Sequence, residues 1–171
     1  MNRRLWAAAV PLLLTACAVA PPVPEALRPG AGEAPLVTLT ARGVQIYECR
    51  AKKDDAQAAE WAFVAPEAEL VDRDGRPAGK HYAGPRWEAP DGSKIVGSVK
   101  ARADAPAAGA IPWLLLSTKS DGPDGAFAKV TSVQRLRTAG GVAPASGCTP
   151  ATLGQGARIA YTADYVLFTM R

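Results

Sequence analysis

The chain has one histidine, His81, in 171 residues. That excludes a metal centre built on several histidines of a single chain, and no metal site is expected. The spacings Gly-x-Ser-x-Gly, His-Glu-x-x-His and the phosphate-cradling P-loop are missing. With them go the commonest hydrolase, zinc-protease and nucleotide-binding readings, and no cofactor is implied. No run of Lys and Arg exceeds two residues. The net charge is +4, and setting aside Arg3 and Arg4 in the N-terminal segment leaves 18 basic against 16 acidic residues, or +2. A nucleic-acid surface needs a clustered basic face, so no such partner is expected. Long helices are missing too: Gly 16 and Pro 15 punctuate the chain throughout, which favours short strands and turns. No unit of 20–50 residues repeats.

What is present suffices for one folded domain. Hydrophobic residues make up 48% and charged residues 21%, ordinary for a globular core under a mixed polar surface.

The N-terminus reads as an address. Met-Asn-Arg-Arg precedes an apolar run from Leu5 to Leu14, followed by Thr15-Ala16-Cys17. This is the charged, hydrophobic and small-residue order of an export signal. The run is too short to span a bilayer, which takes about 20 apolar residues. Leu14-Thr15-Ala16-Cys17 resembles a bacterial lipobox, which implies cleavage of residues 1–16 and acylation of Cys17. Two or three acyl chains hold a protein stably on a membrane where one does not. Ala18, where an Asp usually signals inner-membrane retention, implies sorting to the outer membrane, facing the periplasm or the cell surface. Residues 17–35 carry Pro21, Pro22, Pro24, Pro29 and Pro35 with Gly30 and Gly32. Such composition favours an extended tether, so a single domain is expected over residues 36–171.

That domain reads as β throughout. Over Leu36–Arg50, Val37, Leu39, Ala41, Gly43, Gln45, Tyr47 and Cys49 share one phase. Thr38, Thr40 and Arg42 hold the other, followed by the apolar Val44 and Ile46. The apolar character thus changes face near Gly43, and a bulge or a change of sheet there would account for it. Without a bulge, Gln45 and Tyr47 point inward with Cys49, as a hydrogen-bonded network or as a pocket wall. Trp61–Ala65 and Ala68–Asp72 continue the strand pattern around Pro66. Asp74-Gly75 and Asp91-Gly92 are hairpin signals, because Asp and Gly tolerate positive φ. Ile111–Leu116 is a short, fully apolar run, expected as a buried strand with Pro112 at its start. Phe127–Thr138 and Arg158–Met170 complete the set. The expected fold is all-β: an antiparallel β-sandwich or flattened β-barrel of about seven to eight strands.

Cys17 is assigned to lipid, which leaves Cys49 and Cys148. An even pair in an exported, oxidising compartment is read as a disulfide. The rival readings are a metal pair or a redox pair, and a redox pair is usually close in sequence.

The candidate site is Gly79-Lys80-His81-Tyr82-Ala83-Gly84-Pro85-Arg86-Trp87. It is expected to form the connection between the two Asp-Gly hairpins. His81 could act as a general base or a ligand partner beside the aromatic wall of Tyr82 and Trp87. With no second catalytic partner visible, the favoured reading is a loop histidine that bonds to backbone and shapes a turn. Gln45 and Tyr47 are the other candidates. Residue counts allow a Ser-His-Asp set from His81, with Asp72, Asp91 or Asp164 and Ser93 or Ser117, but no spacing selects one. Trp61, Trp87 and Trp113 are expected in the core.

Gly43-x-Gln45-x-Tyr47-x-Cys49 and Trp61 are followed by Asp74-Gly75 and then Gly79-x-His81-x-x-Gly84-Pro85-x-Trp87. Next come Asp91-Gly92-Ser93, Ile111-Pro112-Trp113-Leu114-Leu115 and Val133-Gln134-Arg135. Thr138-x-Gly140-Gly141-x-Ala143-Pro144, Cys148 and Tyr161-x-Ala163-x-Tyr165 close the series. Together these resemble the exported bacterial and fungal family catalogued as domain of unknown function 3455, over about Leu36–Phe168. The resemblance departs at Phe168-Thr169, where the family often has two aromatics. It implies an exported β-rich domain with paired cysteines; the family carries no settled activity, so the resemblance transfers no catalytic role. Three functions follow as expectations. The first is a lipid-anchored envelope domain that binds a glycan, a protein or a small molecule. The second is an envelope hydrolase or other enzyme with His81 as acid or base. The third is a structural spacer, which would have no pocket.

Overall fold

The computed structural model describes residues 21–171. The segment expected to be an export signal, and Cys17, lie outside the described residues. Eight strands follow one another: β1 (Glu33–Ala51), β2 (Ala59–Val71), β3 (Pro77–Tyr82), β4 (Arg86–Glu88), β5 (Lys94–Ala103), β6 (Trp113–Ser120), β7 (Val130–Gly140) and β8 (Gly156–Met170). Each is antiparallel to the next, and β8 pairs back onto β1. The result is a closed up-and-down barrel. Of the two expected architectures the barrel is the one formed. The pairing of β1 with β8 runs from Glu33↔Met170 to Glu48↔Gly156 and leaves neither strand a free edge there.

The domain starts earlier than Leu36. β1 opens at Glu33, and a 3-10 turn at Glu25–Leu27 lies on the outside of the barrel. Leu27 is fully buried there against Trp113, Leu115 and Leu136, with Val23 packed on the same cluster. Gln134 Nε2 donates to the Leu27 carbonyl. The prolines suggested a free linker; burial of one leucine on an apolar wall overrides them locally.

The phase of β1 never switches at Gly43. Leu39, Ala41, Gln45, Tyr47 and Cys49 are all buried on one face, and Val44 and Ile46 are half-buried on the other. Gly43 instead marks a close approach. A Cβ on it would stand 2.0 Å from the Glu67 carbonyl oxygen and 2.5 Å from Ala68 Cα, so only glycine lets β1 coil this tightly over β2. The bulge sits further on, in β2, where Ile46 faces Ala65 and Tyr47 faces Phe63, leaving Val64 as the extra residue.

The two ends of the barrel differ. Leu39, Leu70, Ile95, Val130, Val133 and Leu167 fill the interior toward one end, joined by Phe127 from the β6–β7 connection. That connection is held in place by Asp91, which accepts from Ala126 N at 2.8 Å, and by Ser93 Oγ, which accepts from Phe127 N at 3.0 Å. The opposite end is crossed by the β7–β8 connection. The disulfide Cys49–Cys148, with Cα atoms 5.2 Å apart, pins that connection to β1. Trp61 Nε1 adds a hydrogen bond to the Ser146 carbonyl at 2.9 Å.

Candidate functional site

Gly79–Trp87 is not a connection between hairpins. It is a hairpin itself: β3 and β4 pair as Lys80↔Glu88, His81↔Trp87 and Tyr82↔Arg86 around a turn at Ala83-Gly84-Pro85. The Asp74-Gly75 turn required a returning strand, and β3 is that strand. His81 therefore sits in a ladder, 2% exposed, with its ring inside the barrel. Its Nδ1 donates to the Arg86 carbonyl at 2.8 Å, which places the proton on Nδ1 in the neutral ring. Nε2 has no partner among the described residues.

Three rings meet at this point. His81 stacks on Trp87 at 4.4 Å and 21°, and Tyr165 of β8 closes on both at 4.8 and 5.4 Å. Gly97 of β5 makes room for the indole, since a Cβ there would lie 2.8 Å from the Trp87 ring. From β1, Tyr47 donates its hydroxyl to the Gly141 carbonyl at 2.6 Å and meets Phe63 edge-on at 5.8 Å. Gln45 is buried beside it. Arg135 of β7 enters from the far wall and donates through Nε to the Pro112 carbonyl at 3.0 Å.

These side chains line one cavity of about 470 Å³. The sequence candidates Gln45, Tyr47, His81 and Trp87 all reach it, while Tyr82 does not. Tyr82 lies on the outer face, its hydroxyl donating to Glu88. Apolar walls come from Leu114, Leu116, Ile111 and Val64. The volume lies in the range that holds drug-sized ligands, and eight strands leave room for one small ligand at most.

The cavity reaches solvent through a notch in the wall. β3 pairs with β2 only over residues 68–71, and β4 with β5 only over residues 94–96. Past that level, the rim halves of β2 and β5 each have no strand on the β3–β4 side. Phe63, Val64 and Val99 flank the gap and are 52%, 44% and 59% exposed. Both edges are blunted against strand addition. Pro66 removes a donor from β2, and each edge strand carries a bulge, at Val64 and at Lys100. Pro66 is thus an edge residue within β2 rather than an interruption of it.

The electrostatics of the cavity are one-sided. Arg135 and Arg102 line it, and no Asp or Glu does. Burial lowers the His81 pKa to about 3; the bond to the Arg86 carbonyl opposes this, and the charge of Arg135 adds to it. The imidazole is neutral at any ordinary pH. Burial also raises the hydroxyls of Tyr47 and Tyr165 above the usual tyrosine value, so both remain protonated.

The proposed triad partners lie elsewhere. Asp72 closes the β2–β3 turn, Asp91 and Ser93 hold the plugged end, Asp164 pairs with Arg137 outside, and Ser117 lies against Ser98. None lines the cavity with His81. Among the described residues no three His, Cys, Asp or Glu side chains gather as a metal site. Trp87 is buried but forms cavity wall, Trp113 is buried outside the barrel under Leu27, and Trp61 is half-buried at the rim. Tyr165 and Arg135 are site residues that the sequence does not single out. The available signal was phase: Arg135 alternates with the inward Val133, which puts a charge on an interior face.

Fold and cavity together define an up-and-down, eight-stranded barrel with an open internal pocket at one end. The chain belongs to the family described as protein of unknown function, domain 3455, which matches residues 29–169. No curated protein and no solved structure matches it.

Proposed function

We propose that this protein is a lipid-anchored cell-envelope domain that binds a small, largely apolar molecule inside its barrel. The observation that carries the reading is convergence. Gln45, Tyr47, His81, Trp87, Arg135 and Tyr165 come from five strands and meet on one solvent-open cavity with apolar walls. A structural spacer has no need of such a space, and a core filled to normal density would not leave it. The enzyme reading is weaker. A general base works best with a pKa near the working pH, whereas that of His81 is down at about 3, and no carboxylate shares its cavity.

The anchor in this reading is a lipid on Cys17 at the outer membrane, inferred from Leu14-Thr15-Ala16-Cys17 and Ala18. Val23 packs on the cluster of Leu27, Trp113, Leu115 and Leu136, which Ala101 and Ala103 also join, at the last residues of β5 and the first of β6. These belong to the rim half of the barrel. The six residues from Cys17 to Val23 span at most about 20 Å when extended. A lipid on Cys17 would hold the mouth of the cavity close to the bilayer surface.

Titration with a neutral, polarity-sensitive dye such as Nile red tests the binding reading. Saturable one-to-one emission is expected, and it is lost when Leu114→Trp fills the cavity. Absence of saturable binding to the unsubstituted protein removes the proposal. Cys17→Ala tests the anchor: the protein is expected to move from the membrane fraction to the soluble exported fraction. Retention of that variant on the membrane would sink the lipid assignment.

A further inference from the structure

We propose that the ligand is an anion, specifically a hydrophobic carboxylate, held head-inward on Arg135 with its apolar part toward Phe63, Val64 and Val99. This rests on the binding reading above and adds the ligand's charge and polarity.

The first observation is the missing counter-charge. Arg135 and Arg102 line the cavity, no acidic side chain does, and among the described residues no carboxylate pairs with Arg135. Elsewhere the domain pairs its arginines readily: Arg86 with Asp121, Arg137 with Asp164 and Arg158 with Glu67. The second observation is the sense of the unmet hydrogen bonds. On the cavity-lining side chains, Gln45 Nε2 and Trp87 Nε1 are buried donors without acceptors. Of the guanidinium donors, Nε is used on the Pro112 carbonyl, and the Tyr165 hydroxyl lies beside the group. A guanidinium presents five donors in a planar fork that matches a carboxylate. The one unmet acceptor here is His81 Nε2; the charge on the cavity wall is positive, and what it lacks is an anionic partner. The third observation is the division of the walls. The polar groups come from β1, β3, β4, β7 and β8, and His81 and Trp87 among them are almost fully buried, while the notch is flanked by the exposed Phe63, Val64 and Val99. A molecule with one anionic end and one apolar end satisfies both halves. Arg102 at the rim adds an attraction to the same charge during entry.

The purified protein is titrated calorimetrically with decanoate, decanol and decyltrimethylammonium, which share an alkyl chain and differ in head group. Decanoate is expected to bind one-to-one and about tenfold or more tighter than decanol, since hydrogen bonds to a charged group are the stronger class. The cationic amphiphile is expected not to bind. Arg135→Gln should bring decanoate down to the level of decanol, and Arg135→Lys should keep part of the preference. Equal binding of decanoate and decanol overturns the anion proposal and leaves the binding reading standing. No binding of any of the three overturns both. The head-group comparison is made on the unsubstituted protein, so it decides the matter even if an Arg135 variant fails to fold.

Discussion

Lowering the pH should destabilise this barrel through His81, and the size of the effect follows from its burial. The imidazole lies within the barrel, stacked on Trp87 and closed over by Tyr165. In the folded protein its pKa is lowered to about 3, against about 6.5 in an unfolded chain. The unfolded state therefore takes up a proton between those two values while the folded state does not. Stability from this group is complete above about pH 6.5 and is lost progressively as pH falls toward 3. At 1.36 kcal/mol per pH unit, the loss is about 2 kcal/mol at pH 5 and about 4 kcal/mol at pH 3.5. Against a typical domain stability of roughly 5–15 kcal/mol, that is a visible fraction. Urea unfolding at a series of pH values measures it, comparing the natural protein with His81→Asn. Asparagine can still donate to the Arg86 carbonyl but does not titrate. Acid losses from the carboxylates, such as Asp91 and Asp121, occur in both proteins and cancel in the difference. The stability of the natural protein minus that of His81→Asn should fall by about 4 kcal/mol as pH falls from 6.5 to 3.5, whatever the offset at pH 7.5. Curves that stay parallel would refute the reasoning, because they would mean that the folded imidazole protonates as freely as the unfolded one.

Replacing the disulfide by Cys49→Ala with Cys148→Ala reopens a loop whose ends are 99 residues apart. Chain entropy puts the cost at about 4–5 kcal/mol, read as a large fall in the urea midpoint. Leu27→Ala should cost about 2–5 kcal/mol, because Leu27 is fully buried on the barrel wall. A cost near zero would return residues 23–32 to the status of a free tether. Gly97→Val should push Trp87 into the cavity, lowering stability by about 1–3 kcal/mol and abolishing dye binding. Unchanged dye affinity would show that the indole does not shape the pocket.

Parts of the site were legible in the sequence, and each for a definable reason. Gln45 and Tyr47 could be read as inward because they share a period-two phase with Leu39 and Cys49, and alternation carries directly into a strand. His81 stood out as the one imidazole in the chain. What failed was its setting. β3 is short, holds Gly79 and Lys80, and shows no apolar alternation of its own, so it reads as loop although Asp74-Gly75 demands a strand after it. The apparent change of face at Gly43 misled in the opposite direction. Val44 and Ile46 are apolar on the outer wall, where half-burial is enough to hold them, and the actual bulge lay in the partner strand. Tyr82 was grouped with His81 by adjacency, yet neighbours in a strand face opposite ways.

By itself the sequence determined the composition of the strands, the turns at Asp74-Gly75 and Asp91-Gly92, and the pairing of Cys49 with Cys148. These are local or compositional facts: alternation, left-handed backbone tolerance, and two cysteines within the β-rich domain. The tertiary structure alone decided between sandwich and barrel, because closure depends on β8 meeting β1 across more than a hundred residues of intervening chain. It also decided that a pocket exists. A cavity is the volume that packing leaves over, and here it is left by a hairpin too short to complete the wall and by side chains from five strands that stop short of filling the space. No single segment encodes that remainder, nor the isolation of Arg135 from every carboxylate that could have neutralised it.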